Sequence, residues 1–112
     1  VIILAAGTGN PYFSTDTAAT LRAAEMNCDV IFKGTSVDGV YESDPKLDAD
    51  SKKYSTISYK KVLDDNLKVM DSSAITLARD NKIPMVVFSI LKDNSFFKAV
   101  NAEEPYTIIS EN

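Results

Sequence analysis

The chain has 112 residues, enough for one small soluble domain with a single core. Apolar residues make up 45% of the sequence and charged residues 25%, the balance of an ordinary globular protein. The net charge of −4 disfavours a nucleic-acid binder that relies on broad phosphate neutralisation, but it allows a local nucleotide site. Cys28 is the only cysteine and histidine is absent, which excludes an intrachain disulfide and any histidine base.

The longest apolar runs, residues 1–6 and 84–91, are long enough for strands and too short to cross a bilayer. No pattern typical of a signal peptide is present, so we expect a cytoplasmic protein without a membrane partner. The first apolar run starts at Val1, without an initiator methionine. A strand that begins at the first residue is typical of a truncated sequence, so we expect this chain to be a piece of a longer protein.

The first half of the chain predicts a strand, a helix and a second strand. Residues 1–6 are β-branched and uninterrupted, which indicates a buried strand. A glycine-containing loop follows, and Ser14, Thr15 and Asp16 are successive candidates for the N-cap of a helix. The second strand is predicted over residues 29–33. A helix between two apolar strands predicts a parallel pair joined by a right-handed crossover.

The second half predicts further alternation of helices and strands. Residues 44–53 are polar and indicate an exposed loop, whereas residues 58–65 indicate a short amphipathic helix. Another helix should start near Asp71, and residues 84–90 should form a third strand. Phe96 and Phe97 indicate a short, packed last helix, and residues 106–110 a last strand. This order predicts a layered α/β fold with a mainly parallel sheet.

Two loops leave predicted strand ends, where ligands bind in open α/β sheets. In the first, residues 7–16, glycines allow close approach of the backbone to a ligand, and the helix N-terminus favours an anion. The loop has neither the dinucleotide-binding glycine pattern nor a Walker A lysine. The residues alone are equally compatible with an ordinary capped turn.

The second loop covers residues 33–45. Lys33 could contact phosphate oxygens, Tyr41 could pack on a purine, and Asp44 could accept a hydrogen bond from a ribose or base. A solvated loop with a tight turn at Asp38-Gly39 is the alternative interpretation.

The two loops, together with residues 67–84, resemble a known family. Residues 7–16 resemble the uridylate-binding motif of bacterial UMP kinases, and residues 33–45 resemble their ATP-binding segment. The resemblance implies the amino-acid-kinase fold, a three-layer α/β/α sandwich with a mainly parallel sheet. Residues 1–112 would be the C-terminal ATP- and UMP-binding portion of one such domain, with the N-terminal portion absent.

The resemblance also implies an activity and its partners. Members transfer the γ-phosphoryl group of ATP to UMP in pyrimidine nucleotide biosynthesis, with Mg²⁺ accompanying ATP. They assemble as hexamers that GTP and UTP regulate. Since part of the family's phosphate-binding groups would lie outside residues 1–112, we expect this piece alone to be inactive.

The site residues are transferred position by position from the family's motifs. Asp16 would be catalytic, by organising the cations around the phosphates, and no residue is assigned to a metal. Three residues, Thr35, Tyr41 and Asp44, would bind ATP. Eight would bind UMP: Thr8, Gly9, Asn10, Pro11, Tyr12, Phe13, Ser14 and Thr15.

Two alternatives remain at this point. The chain could come from another enzyme of the same fold that acts on a small amino acid or carbamate, or from a nucleotide-binding regulatory module without catalysis. The aromatic pair Tyr12-Phe13 favours a flat nucleobase over a small amino acid as the ligand of the first loop.

Overall fold

The computed structural model describes residues 1–103 and 105–111, which form four helices and four strands. In chain order these are α1 (Thr15–Glu25), β1 (Ile31–Thr35), β2 (Thr56–Ser58), α2 (Tyr59–Asp64), α3 (Ser72–Asp80), β3 (Met85–Ser89), α4 (Ser95–Val100) and β4 (Thr107–Ser110).

The strands form one mixed sheet in the order β1-β3-β4-β2. β1 runs parallel to β3 and β2 runs parallel to β4, whereas β3 and β4 are antiparallel. Two of the three pairings are therefore parallel, which confirms the prediction of a mainly parallel sheet. The register places Thr35 opposite Ser89, so the carboxyl ends of β1 and β3 lie side by side.

The sheet is covered on both faces. Alternate residues of the fully buried strand β3 point to opposite sides: Met85 and Val87 join one apolar cluster, and Val86 and Phe88 join another. Helices α1, α2 and α3 contribute to the first cluster, and α4 contributes Ala99 to the second. The described residues thus form the three layers expected of an α/β/α sandwich.

The predicted strand over residues 1–6 is wrong. These residues form no strand and are exposed, Val1 and Ile3 most of all. An apolar, β-branched segment becomes a strand only when a neighbouring strand satisfies its backbone groups, and no described residue pairs with it. The parallel neighbour of β1 is therefore β3, which follows it in the sequence.

Several smaller expectations also need correction. β1 begins at Ile31 rather than at residue 29, and the short strand β2 was missed. The last helix forms as predicted, but its two aromatic side chains, Phe96 and Phe97, are 60% and 66% exposed. Phe96 still contacts the rings of Phe32 and Phe88, with centroids 5.9 Å apart in each pair. None of the helices in the described ranges combines the length and apolarity needed to cross a bilayer.

Candidate functional site

At the start of α1, the residue that caps the helix and the carboxylate predicted to be catalytic are different residues. Ser14 is the N-cap, and its side-chain oxygen accepts a hydrogen bond from the backbone N–H of Thr17 at 3.3 Å. Asp16 lies inside the first turn, where a carboxylate also interacts favourably with the helix dipole. The side chain of Asp16 is therefore not needed as the cap and is available for a partner elsewhere.

That partner is Lys33 on β1. The ammonium group of Lys33 donates a hydrogen bond to Oδ1 of Asp16, and the two side chains are 26% and 20% exposed. The pair joins the first turn of α1 to the strand beside it. An ammonium group has three donors, so Lys33 can hold Asp16 and still donate to an anion.

Seven of the eight residues predicted for UMP, residues 8–14, lie in the loop before α1, and Thr15 is the first residue of that helix. Gly7 and Gly9 adopt φ values of 64° and 77°, a region open to glycine, and Tyr12 adopts 69°, which is uncommon for a bulky residue. Tyr12 is fully exposed and Phe13 is 55% exposed. The structure thus places residues 8–14 on one continuous, strained loop whose aromatic side chains face solvent.

A cleft of about 460 Å³ opens between the β1–β2 connection and the segment that joins α2 to α3. Thr35, Tyr41 and Asp44, the residues predicted for ATP, all line it. The opposite wall is formed by residues 65–69. The fold therefore gathers the three predicted residues around one cavity of ligand size.

Asp44 has a structural task within this cleft. Its Oδ1 accepts a hydrogen bond from the backbone N–H of Lys46 at 2.9 Å, and its backbone oxygen accepts from Leu47 and Asp48. These bonds close a turn at the rim of the cleft. The exposed carboxylate still has acceptor capacity for a ligand.

The side chain of Tyr41 is held by Asp38, a contact that the sequence did not predict. The Tyr41 hydroxyl donates to Oδ1 of Asp38 at 2.6 Å, and the Lys92 ammonium lies 3.3 Å from Oδ2. The Asp38-Gly39 pair indicated only a turn. Nothing in the sequence signals that Lys92, 54 residues later, contacts the same carboxylate.

The pKa values of Asp38 and Tyr41 are set by the contacts of these two side chains. Burial alone would raise the pKa of Asp38, but hydrogen bonds from Tyr41 and Lys92 and the positive charge of Lys53 and Lys92 outweigh it and lower that pKa. The hydrogen bond to Asp38, followed by burial and the negative charge of Asp38, raises the pKa of Tyr41 to about 12. At neutral pH the pair is therefore a carboxylate and a neutral phenol donor.

Comparison with known proteins shows which family this chain is similar to. The family model described as "Amino acid kinase family" matches residues 1–89. The chain is 58% identical over 109 residues to a uridylate kinase of Erythrobacter litoralis, covering 97% of this chain and 46% of that protein. It is 56% identical over 111 residues to a uridylate kinase of Rickettsia felis, covering 99% and 46%.

Solved structures give the same result for the fold. The UMP kinase of Ureaplasma parvum superposes with a TM-score of 0.89 at 43% identity, covering 94% of this chain and 45% of that one. The aspartate kinase of Synechocystis gives 0.68 at 28% identity, covering 88% and 16%.

The layered α/β/α architecture, with polar loops at the carboxyl end of a parallel strand, defines a ligand-binding domain of the α/β class. The chain belongs to the amino acid kinase family. It spans about half the length of the curated relatives that it matches.

Proposed function

We propose that residues 1–112 are the C-terminal ATP- and UMP-binding portion of an amino-acid-kinase domain that transfers the γ-phosphoryl group of ATP to UMP. The observation that carries this proposal is the Asp16–Lys33 ion pair, which connects the end of the first predicted loop, residues 7–16, to the start of the second, residues 33–45. Asp16 directly follows the loop assigned to UMP, and Lys33 precedes Thr35 at the start of the cleft assigned to ATP. High identity to proteins named uridylate kinase supports the choice of substrates.

On the acceptor side, we assign residues 8–15 to UMP. Glycine at positions 7 and 9 lets the backbone approach the ligand, and the exposed rings of Tyr12 and Phe13 can pack against a flat base. The N-terminus of α1 directly follows and favours an anion. The loop therefore offers groups suited to both the base and the phosphate of a nucleoside monophosphate.

On the donor side, we assign Thr35, Tyr41 and Asp44 to ATP. They line one cleft together with Lys46 and Lys68, which can offset the charge of a polyphosphate. Asp44 can accept a charge-assisted hydrogen bond from a sugar hydroxyl or a base.

Phosphoryl transfer between these ligands needs no histidine. The phosphate of UMP has a second pKa of about 6, so it is mostly a dianion and already a nucleophile at neutral pH. Catalysis then depends on holding two anions in line and offsetting their charge. Lys33, oriented by Asp16, is suited to that task.

Magnesium fits this scheme as a companion of ATP. No group of three or more Asp, Glu, Cys or His side chains in the described residues is arranged to hold a metal ion. Mg²⁺ is commonly held by substrate phosphates with few protein ligands, and it offsets charge on the transferring group.

The resemblance further supports a cytoplasmic homohexamer that responds to GTP and UTP. Light scattering of the full-length protein, with and without each nucleotide, measures the assembly. Initial rates at fixed ATP and UMP measure the response. A monomer whose rate neither nucleotide changes would contradict this part of the proposal.

The central test uses the full-length protein that carries this chain. ADP formation from Mg-ATP is measured with UMP, CMP, aspartate, acetylglutamate and carbamate as separate acceptors. We expect turnover with UMP to exceed that with every other acceptor by at least about 10²-fold, the scale of discrimination that a fitted pocket provides. Turnover with an amino acid alone would indicate another enzyme of the fold. Binding of ATP and UMP without ADP formation would indicate a regulatory module.

A further inference from the structure

Asp38 uses both of its carboxylate oxygens, one toward Tyr41 in the donor cleft and the other toward Lys92 outside it. Oδ1 accepts from the hydroxyl of Tyr41 at 2.6 Å, and Oδ2 lies 3.3 Å from the ammonium of Lys92. Tyr41 lines the cleft, and Lys92 lies in the connection that follows β3. The Asp38 side chain is 22% exposed, and its bond with Tyr41 is partly buried. The side chain of Lys92 is 58% exposed, so its contact with Asp38 lies at the surface.

The backbone on both sides of these residues is fixed independently. The N–H of Val40 donates to the hydroxyl oxygen of the fully buried Thr107 at 2.9 Å. The N–H of Tyr54 donates to the backbone oxygen of Val40 at 2.8 Å, and that of Glu42 to Lys52 at 3.0 Å. With the main chain held in this way, the remaining freedom of Tyr41 is rotation of its side chain.

The hydrogen bond to Asp38 removes that freedom. It acts on the hydroxyl, the atom farthest from the backbone, and therefore constrains both torsions of the ring. Because the carboxylate of Asp38 is ionised, the hydrogen bond that it accepts is charge-assisted. It therefore constrains the ring more strongly than a hydrogen bond between neutral groups would. The ammonium of Lys92 contacts the other oxygen of the same carboxylate.

We propose that Asp38 is a positioning residue of the donor cleft, which holds the ring of Tyr41 in the orientation that receives the nucleotide. This inference rests on the proposed function, since it takes Tyr41 as a contact of ATP. Asp38 acts through Tyr41 and does not touch the reacting phosphates. A residue that only shaped the Asp38-Gly39 turn would affect stability and leave nucleotide binding unchanged.

The test is a double-mutant cycle in the full-length protein, with Asp38→Asn, Tyr41→Phe and the two combined. KM for ATP, KM for UMP, kcat and thermal stability are measured for each. Asp50→Asn is the matched control, because it removes the same charge from the same connection at an exposed position outside the cleft.

Asparagine can still accept from Tyr41 but removes the charge assistance, so we expect Asp38→Asn to raise KM for ATP by up to about 10-fold, with kcat and KM for UMP within about twofold. Tyr41→Phe should do the same, and the double variant should be no worse than the stronger single variant. Asp50→Asn should leave every constant unchanged. Independent, multiplying effects of the two substitutions would overturn the proposal, as would an Asp38→Asn variant that matches Asp50→Asn.

If Asp38→Asn fails to fold, Tyr41→Phe decides alone. It keeps the ring and deletes only the bond to Asp38, so a stable Tyr41→Phe variant with unchanged KM for ATP overturns the proposal. Failure of the proposed function looks different, because the unmodified protein would then form no ADP from ATP and UMP.

Discussion

Replacing Asp16 with asparagine separates the structural role of this residue from the catalytic one that we propose. Asparagine keeps the shape of the side chain and removes its charge. Since Ser14 already caps α1, the substitution leaves the cap intact. The substitution breaks the ion pair with Lys33, and the Lys33 ammonium then loses its counter-charge and its fixed orientation.

The size of the effect on stability follows from burial. Exposed ion pairs contribute about 0.2–1 kcal/mol, and breaking a fully buried pair costs about 3–5 kcal/mol. With side chains 20% and 26% exposed, the Asp16–Lys33 pair lies between these limits. Asparagine can still accept a hydrogen bond, so we expect a loss of about 1–2 kcal/mol. For a protein of 150–250 residues this lowers Tm by about 2–8 °C.

The effect on catalysis should be larger than the effect on stability. If Asp16 orients Lys33 at the transferring phosphoryl group, Asp16→Asn lowers kcat by about 10²-fold, the scale of losing one preorganised electrostatic contact. KM for UMP should change little, because the residues of the acceptor loop are untouched. Steady-state rates and thermal melts of the same full-length preparations provide both numbers.

Asp29→Asn is the matched control, since Asp29 is an exposed carboxylate close to the start of β1. It should leave kcat and Tm unchanged. A normal kcat for Asp16→Asn with a lowered Tm would show that the ion pair is structural, and we would withdraw the catalytic role. A normal kcat with a normal Tm would contradict the geometry of the pair itself.

Three further predictions concern the donor cleft. Asp44→Asn should raise Kd for ATP by roughly 10- to 150-fold, the equivalent of 1.5–3 kcal/mol, and leave UMP affinity unchanged in calorimetric titrations. Gly39→Ala should lower the free energy of unfolding in urea by about 1–3 kcal/mol, because a Cβ there would lie 2.5 Å from Oγ1 of Thr107. The pKa of Tyr41 is raised to about 12, so its stabilising contribution is complete below about pH 10 and lost as the pH rises through 12. Ultraviolet titration of the wild type against Tyr41→Phe should show this late ionisation, and an ordinary value near 10 would contradict the bond to Asp38.

Local signals in the sequence predicted most of the helices and several strands. Ser58 begins a short amphipathic stretch, and its side chain does cap α2 by accepting from the N–H of Lys61. The apolar stretch around Met85 and Val87 is uninterrupted, and the strand there is buried along its whole length. Such elements are predictable because a cap or an apolar run consists of residues that lie close together in the sequence.

The errors arise where structure depends on distant partners. Residues 1–6 have strong β propensity, but a strand also needs a neighbour, which composition does not reveal. β2 covers only three residues and exists because it pairs with β4, about 50 residues away. The partnership of Asp38 and Lys92 is equally non-local. Neither contact leaves a periodic pattern in the sequence.

The site residues divide in the same way. Motif resemblance grouped Thr35, Tyr41 and Asp44, and the structure places all three around one cleft. The resemblance implied that Asp16 organises cations, but only the fold brings Lys33 to it. Their roles toward UMP and ATP stay predictions until the variants are measured.

The negative net charge of this chain poses a physical problem for the proposed site, which would hold two anions, ATP and UMP. With a net charge of −4, long-range attraction to a nucleotide is weak or absent. Attraction must therefore come from cations at contact distance, where the interaction between charges is strongest and least screened. A lysine free to move among many rotamers would lose entropy each time it bound a phosphate.

Lys33 avoids part of that loss because Asp16 already holds it in place. The same carboxylate would repel phosphate if it stood alone, but paired with lysine it adds order without a net negative charge. Lys92 and Asp38 repeat this arrangement beside Tyr41. We infer that the carboxylates around this site serve mainly to orient donors. Removing one should therefore disturb the geometry of binding more than the overall charge, which the matched substitutions at Asp29 and Asp50 are chosen to distinguish.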